Sequence, residues 1–204
     1  RQMCIRDSDL SEKMLKVFKS RKDALKETII QANGNDTWPV PPNSTDIFFS
    51  SRAIHLLNEA HVLAELQRAA SPKGTALIIG RVARAEHSVQ SQMRQQMRQL
   101  LKKFNIEPRD GKKRSTSVFN YICRRCGGRV SEPLEVAKWK TTHTPKHSIT
   151  SWENNAGLAG NDITPELKTQ ILQELKHWAA DHFGNLETEI ESTETYILES
   201  VFFK

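Results

Sequence analysis

Apolar and polar positions in the first half of the chain follow two different periods. After Ser11 the apolar residues recur at helical spacing, which predicts an amphipathic helix with Ser11 as its N-cap. Short apolar runs at 46–51 and 75–80 are typical of buried strands. Residues 52–70 between them show helical spacing. This order predicts a strand–helix–strand unit, and hence a parallel sheet with a right-handed crossover.

Turn-forming residues divide the remainder of this half. A β-branched stretch at 27–32 predicts a further strand, and the Asn-Gly-Asn-Asp cluster at 33–36 predicts the turn that ends it. Residues 38–42 contain tandem prolines that cannot donate to a strand ladder, so a loop is expected there. Ser-Pro-Lys-Gly at 71–74 predicts the turn before the next strand.

The second half begins and ends with regular elements. Residues 86–104 carry apolar side chains on one helical face. Thr164 and the proline after it predict the start of a final helix, which Gly184 ends. Strands are expected at 186–191 and 196–203, joined by a polar stretch. Between these regions the pattern is irregular, so no helix or strand is predicted over 105–160.

Composition and charge narrow the class of protein. The 204 residues are 37% hydrophobic and the mean hydropathy is −0.57, as in ordinary soluble globular domains. The apolar runs are far shorter than the ~20 residues of a membrane span. The net charge of +6 is uneven, because residues 81–150 carry +11 and residues 151–204 carry −7. The basic segment could attract an anionic substrate or an acidic membrane surface, or it could simply form solvated helix faces, and we interpret it as belonging to the substrate side rather than to nucleic-acid binding.

The first eight residues are set aside. Arg1–Ser8 resembles the read-through translation of a transposase sequencing adapter, which would make the chain a fragment whose gene is cut upstream. The rest divides into a core segment at 9–82, a basic insertion at 83–160, and a C-terminal helix with a strand pair at 161–204. Without Cys4, two cysteines remain, and we expect reduced thiols in a cytoplasmic protein.

Three stretches resemble class I S-adenosylmethionine-dependent methyltransferases. Asp9–Leu15 is similar to the family's second-strand end, where an acid precedes a helix that carries a Met-Leu pair. Residues 46–57 resemble the fourth strand and its helix, and residues 66–79 resemble the helix, Pro-x-Gly turn and fifth strand. The final helix and residues 186–203 suit the last strands. The subfamily it looks like is the ubiquinone/menaquinone-biosynthesis type, which methylates small molecules.

The resemblance implies an α/β, Rossmann-like sheet that lacks its first strand or strands and ends in an antiparallel strand pair. It also implies S-adenosylmethionine as cofactor. Asp9, Asn33 and Ser50 each lie where a strand should end, and ligands of open parallel sheets bind at the carboxyl ends of strands. Asp9 would accept from the ribose hydroxyls. Asn33 stands where the family usually has Asp against the adenine amino group, and Asp36 is the alternative. The complete predicted cofactor set is Asp9, Leu10, Met14, Asn33, Gly34, Asp36 and Ser50.

The substrate side is predicted from the fourth-strand region and the insertion, which would cover the acceptor. Arg52 would hold an anionic group of a small-molecule acceptor, and His55 would act as a base. Trp152 would line a substrate lid. The family's Gly-rich turn is not found, since the first glycine is Gly34. The chain as given is therefore expected to bind the cofactor poorly and to be inactive alone.

A zinc site is the alternative. Cys123 and Cys126, followed by His143 and His147, approach zinc-finger spacing within a basic segment, which would favour a nucleic-acid-binding module. The gap between the pairs is long, however, and Pro145 lies between the histidines. We therefore predict no metal ligand and treat the cysteines as plain thiols.

Overall fold

The structure is a computed structural model that describes residues 5–20, 27–108 and 111–203. It divides into two compact units. The first comprises residues up to 79, residues 112–132 and residues from 200 onward, and the second comprises residues 80–111 and 133–199.

Helices and strands alternate along the first part of the chain. They are β1 (Ile5–Asp9), α1 (Glu12–Lys19), β2 (Glu27–Gln31), β3 (Ile47–Ser51), a 3-10 turn (Ile54–Leu56), α2 (Glu59–Ala69) and β4 (Thr75–Arg84). Helices dominate the remainder. They and the last strands are α3 (Val89–Lys103), α4 (Gly111–Cys126), β5 (Arg129–Val130), β6 (Leu134–His143), α5 (Pro145–Glu153), α6 (Pro165–Phe183) and β7 (Ile190–Phe203).

The described strands form two sheets. Strands β1 and β2 pair in parallel, with Ile5 opposite Glu27 and Asp9 opposite Gln31. The other sheet has the strand order β3-β4-β7-β5, in which β5 is antiparallel to β7. The core of the first unit lies among α2, α4 and the strands. Its fully buried members include Val62, Leu66, Leu77, Ile79, Val118, Ile122 and Val201.

The second unit is built around a helical core and one long strand pair. Strand β6 runs antiparallel to β7, with a register irregularity between Glu135 and Ala137. Helices α3, α5 and α6 pack together through apolar stripes. Their buried residues include Met93, Met97, Leu101, Ile149, Ile171, Leu175 and Ala179.

Predictions from local signals are confirmed. Ser11 caps α1 through its hydroxyl, which accepts from the Met14 N–H at 3.3 Å. Thr164 caps α6 in the same way, and Gly184 ends that helix with φ +85°. The strand–helix–strand unit is present as β3, α2 and β4, with β3 and β4 as neighbours. The antiparallel strands expected near the C-terminus are also present.

Two elements differ in the first unit. The helix predicted over 52–70 begins only at Glu59, because the Asn58 side chain caps it and Arg52 has φ +58°. Strand β3 is buried on one face only, since successive side chains point to opposite faces. Phe48 packs near Trp38, with ring centroids 5.4 Å apart, whereas Phe49 is 58% exposed.

The region 105–160 was predicted to be irregular, and this is wrong. It contains α4, β5, β6 and α5. The polar join predicted at 192–195 is wrong as well, because β7 continues through it beside β6. Residues 5–8, set aside in the sequence analysis, lie in β1. Among the described residues, no helix has the length and apolar character needed to cross a membrane.

Candidate functional site

The candidate site lies at the carboxyl ends of β1 and β2. Their parallel register brings the end of one strand beside the end of the other. The Ala32 N–H donates to the Asp9 carbonyl at 3.2 Å, and the Gln31 side-chain amide donates to the Leu10 carbonyl at 3.1 Å. Two segments that are more than twenty residues apart in sequence are thus joined at one edge, which is where open parallel sheets bind ligands.

Asp9 is an exposed carboxylate at this edge. Its Oδ1 accepts from the Ser11 N–H at 2.7 Å, which fixes the side chain between β1 and α1. Because Ser11 itself supplies the helix cap, Asp9 is not required for capping. The neighbouring apolar side chains Leu10 and Met14 are 66% and 58% exposed. Met14 is therefore not a core residue, and this edge offers a carboxylate next to apolar surface.

The turn after β2 is held by side-chain to backbone hydrogen bonds. The Asn33 Oδ1 accepts from the Asn35 N–H at 3.1 Å, which is an Asx turn. The Asn35 Oδ1 in turn accepts from the Asn58 N–H at 2.8 Å and so ties the turn to the start of α2. A Cβ on Gly34 would lie 2.8 Å from Leu57 Cδ2, so a side chain there would displace Leu57. The exposed Asp36 accepts through its carbonyl from His61 Nε2 at 2.9 Å.

A buried ion pair on α2 anchors the next loop. The Glu65 carboxylate accepts from Arg68 at 2.7 Å and from the Trp38 N–H at 2.8 Å. Arg68 also donates to the carbonyls of Val40 and Trp38, at 2.9 and 3.1 Å. The hydrogen bond from Arg68 is the main cause that lowers the pKa of Glu65, with a further contribution from the Trp38 N–H, while burial opposes the shift.

These supporting residues were missed by the sequence analysis. The roles of Glu65 and Arg68 depend on partners almost thirty residues away, which no local pattern reveals. Their opposite charges at i and i+3 on a predicted helix were the available signal. Asn35 was part of the predicted turn, but its tie to Asn58 is a tertiary contact.

The predicted acceptor-side residues are divided between the two units. Ser50, which was predicted on the cofactor side, is half-buried near the end of β3. The exposed Arg52, predicted on the acceptor side, follows in the left-handed region. His55 is half-buried in the 3-10 turn. Trp152, in the second unit, packs against that unit's helical core. It lines a pocket of ≈ 360 Å³ with residues between Asn155 and Asp162.

The four residues of the zinc alternative are also divided. Cys123 and Cys126 lie on α4 in the first unit, and burial raises the pKa of both thiols. His143 and His147 lie in the second unit, with ring centroids 5.7 Å apart. Over the described ranges, no three side chains of His, Cys, Asp or Glu converge as metal ligands. The alternative therefore has no geometric support in this part of the chain.

Comparisons with known proteins show similarity to a methyltransferase domain over part of the chain and to methyltransferase folds over most of it. Residues 4–78 match the model of the methyltransferase domain family. A protein of Anaeromyxobacter dehalogenans assigned as a type II methyltransferase has a TM-score of 0.53 at 16% identity, over 97% of this chain and 79% of that one. A protein of Bacillus halodurans C-125 assigned as a methyltransferase has a TM-score of 0.51 at 14% identity, over 98% and 82%. No curated protein sequence matches.

At these identities the solved structures show the fold, and the matched segment shows the kind of domain. The chain has the Rossmann-like α/β fold of class I methyltransferases. The similarity to a methyltransferase domain covers residues 4–78.

Proposed function

We propose that this protein transfers a methyl group to a small-molecule acceptor and binds S-adenosylmethionine at the edge formed by β1 and β2. The observation that carries the proposal is the parallel pairing of these strands, which joins the Asp9 junction to the Asn33 turn. When bound, the cofactor supplies an electrophilic methyl group for in-line displacement, so the protein's main task is to position two ligands.

Asp9 is proposed to bind the ribose. It is exposed and held in place by the Ser11 N–H, and a carboxylate has enough lone pairs to accept from hydroxyls as well. Leu10 and Met14 add apolar surface on the same segment, which suits contact with the flat adenosine moiety. This combination of a fixed carboxylate and exposed apolar side chains fits a nucleoside better than it fits a helix cap alone.

Asn33 and its neighbours are proposed to bind the adenine. The Asn33 Oδ1 already accepts from the Asn35 N–H, but a carbonyl oxygen has a second lone pair for the adenine amino group. Gly34 keeps the backbone of the turn close to Leu57. The exposed Asp36 is the alternative acceptor. Ser50, at the end of β3, is the last member of the proposed cofactor set.

The acceptor side is proposed to use Arg52, His55 and Trp152. Arg52 would bind an anionic group, and His55 would take a proton from an acceptor that must lose one. Trp152 lines a pocket in the second unit, which is consistent with a role in covering a small molecule. The subfamily proposed is the ubiquinone/menaquinone-biosynthesis type.

The affinity of this chain for the cofactor is proposed to be weak. No glycine precedes Gly34, so the sequence supplies no Gly-rich turn ahead of β1 through which backbone could approach the cofactor. We expect binding in the millimolar range, about −4 kcal/mol, and no turnover by the chain alone. A micromolar dissociation constant would contradict this part of the proposal.

Ligand-detected NMR on Asp9→Asn tests the proposal, because saturation transfer detects weak binding. Loss of the charged acceptor, worth about 1.5–3 kcal/mol, is expected to weaken binding at least about tenfold. Asp7→Asn, on the same strand, is the matched control and should bind like the unmodified chain. Equal binding by the Asp9 variant, or no saturable binding by the unmodified chain, would overturn the assignment.

A further inference from the structure

A polar cluster in the second unit is not used by the proposed cofactor site. Arg84 is the last residue of β4, and Glu194 lies in the middle of β7. Arg84 Nε donates to Glu194 Oε1 at 2.6 Å, and the two side chains are only 27% and 9% exposed. This is a largely desolvated ion pair at the carboxyl end of a sheet strand.

Two histidines complete the cluster. His143 is the last residue of β6, and His147 lies in the first turn of α5. Their ring centroids are 5.7 Å apart. His143 is half-buried and His147 is exposed.

The charges around His143 come from three elements. Burial is the main cause that lowers the pKa of His143, and His147 on α5 and Arg84 on β4 act in the same direction. Glu194 on β7 acts in the opposite direction. The positive end of the α5 dipole also disfavours a protonated His143. Near neutral pH the cluster therefore holds one ion pair and an uncharged His143.

The cluster is better suited to a ligand than to stability. Compared with well-packed apolar side chains, a buried ion pair adds little net stability, because desolvation offsets the Coulombic attraction. Removing one partner alone is still destabilising, since it leaves a buried charge unpaired. The bond to Glu194 occupies Nε of Arg84, and a guanidinium has further N–H donors on its terminal nitrogens. His143 is close enough to Arg84 and Glu194 for their charges to act on it, and its ring is 5.7 Å from that of His147. A protonated His143 would add positive charge beside a bound anion, which would compensate that charge.

We propose that Arg84, His143 and His147 form an oxyanion site that takes a carboxylate or phosphate group, with proton uptake by His143. Glu194 is a positioning residue, since its carboxylate holds Arg84 through Nε. The identity of the ligand as part of the methyl acceptor rests on the proposed function. The existence of the site does not, because every residue in it belongs to the second unit.

The pH dependence has a definite sign. The free cluster has a His143 whose pKa is below its usual value, and a bound anion raises that pKa by stabilising the imidazolium. Binding therefore takes up a proton at neutral pH and weakens as pH rises. By linkage, the affinity is expected to fall roughly tenfold per pH unit for each proton taken up.

NMR titration of the histidine ring protons of the full chain tests the site without S-adenosylmethionine. Inorganic phosphate and acetate are added in separate series between pH 6 and 8. We expect the His143 and His147 signals to shift saturably and the pKa of His143 to rise, while the His177 signal stays unchanged. Response to one anion alone identifies that group as the ligand chemistry. Equal, non-saturable shifts of all seven histidines would overturn the proposal.

Variants separate binding from folding. His147→Gln changes an exposed side chain and should fold normally, and it is expected to reduce anion affinity by about tenfold. Arg84→Lys keeps the charge that pairs with Glu194 but loses the planar fork, so it should also bind more weakly. His177→Gln is the control and should bind like the unmodified chain. Unchanged anion affinity in both site variants would refute the site.

Discussion

Replacing Glu65 by Gln tests whether the buried ion pair on α2 stabilises the first unit. The substitution keeps the shape of the side chain but removes the charge that accepts from Arg68 at 2.7 Å and from the Trp38 N–H at 2.8 Å. Hydrogen bonds to charged groups contribute about 1.5–3 kcal/mol each. Arg68 is 27% exposed, so part of that value is lost to solvent screening. We expect a net loss of about 2 kcal/mol.

The assay is urea and thermal unfolding at pH 7, followed by circular dichroism. A loss of about 2 kcal/mol corresponds to a Tm lower by about 4–8 °C in a chain of this size. Glu132→Gln is the control, since Glu132 is exposed in the same unit and should change stability by less than about 0.5 kcal/mol. Equal Tm values for the two variants would refute the stabilising role of the ion pair.

The pH dependence of the same difference provides a second check. The pKa of Glu65 is lowered, so its contribution is complete above the ordinary carboxyl pKa and is lost as pH falls through the lowered value. The difference between the unmodified chain and Glu65→Gln should be largest near pH 7 and shrink below about pH 4. A stability difference that grows on acidification would show that the ionised Glu65 does not stabilise the fold.

Two further predictions concern packing in the second unit. A Cβ on Gly80 would lie 2.0 Å from Tyr196 Oη, so Gly80→Ala should lower the free energy of unfolding in urea by about 1–3 kcal/mol. In a Tyr196→Ala background the same substitution should have no such cost, because the clash is gone. Leu175 is fully buried, so Leu175→Ala should lower the free energy of unfolding by about 2–5 kcal/mol. Leu134 is 59% exposed, so Leu134→Ala should change it little. Similar urea midpoints for the two variants would refute the assigned core.

Elements with local signals were predictable from the sequence. Ser11 and Thr164 cap the helices that they were predicted to cap, and the methionines of α3 form the buried stripe that their spacing indicated. Local signals also placed Asn33 after a strand, and it lies two residues beyond the end of β2, whereas the strand that ends at Asp9 was expected only from the family resemblance. The capping residues interact with backbone only three positions further along the chain, so their roles can be predicted from the sequence alone.

Elements that depend on distant partners were not predictable. Ser192 and Glu194 are polar, which suggested a break in the strand. In the structure both are buried within β7. They are tolerated because Thr141 lies within hydrogen-bond distance of Ser192 and Arg84 pairs with Glu194. Helix α4 was hidden for a different reason, since its few buried apolar residues lie among basic and polar ones.

The candidate site shows the same division. Residue types at strand ends could be read from the sequence, but the support for the Asn33 turn could not. Asn35 reaches Asn58, and Glu65 reaches Trp38, across more than twenty residues in each case. These ties determine how firmly the turn is held, and therefore how well it is preorganised for a ligand.

Mapping S-adenosylmethionine onto the backbone amides of the unmodified chain by 1H–15N NMR tests the central claim most directly. We predict saturable shifts in the millimolar range at the Asp9–Leu10 junction and at Asn33–Gly34, the two segments that the β1–β2 pairing joins. Shifts confined to other parts of the chain, or no saturable shifts at millimolar cofactor, would contradict a methyl-donor site at this edge.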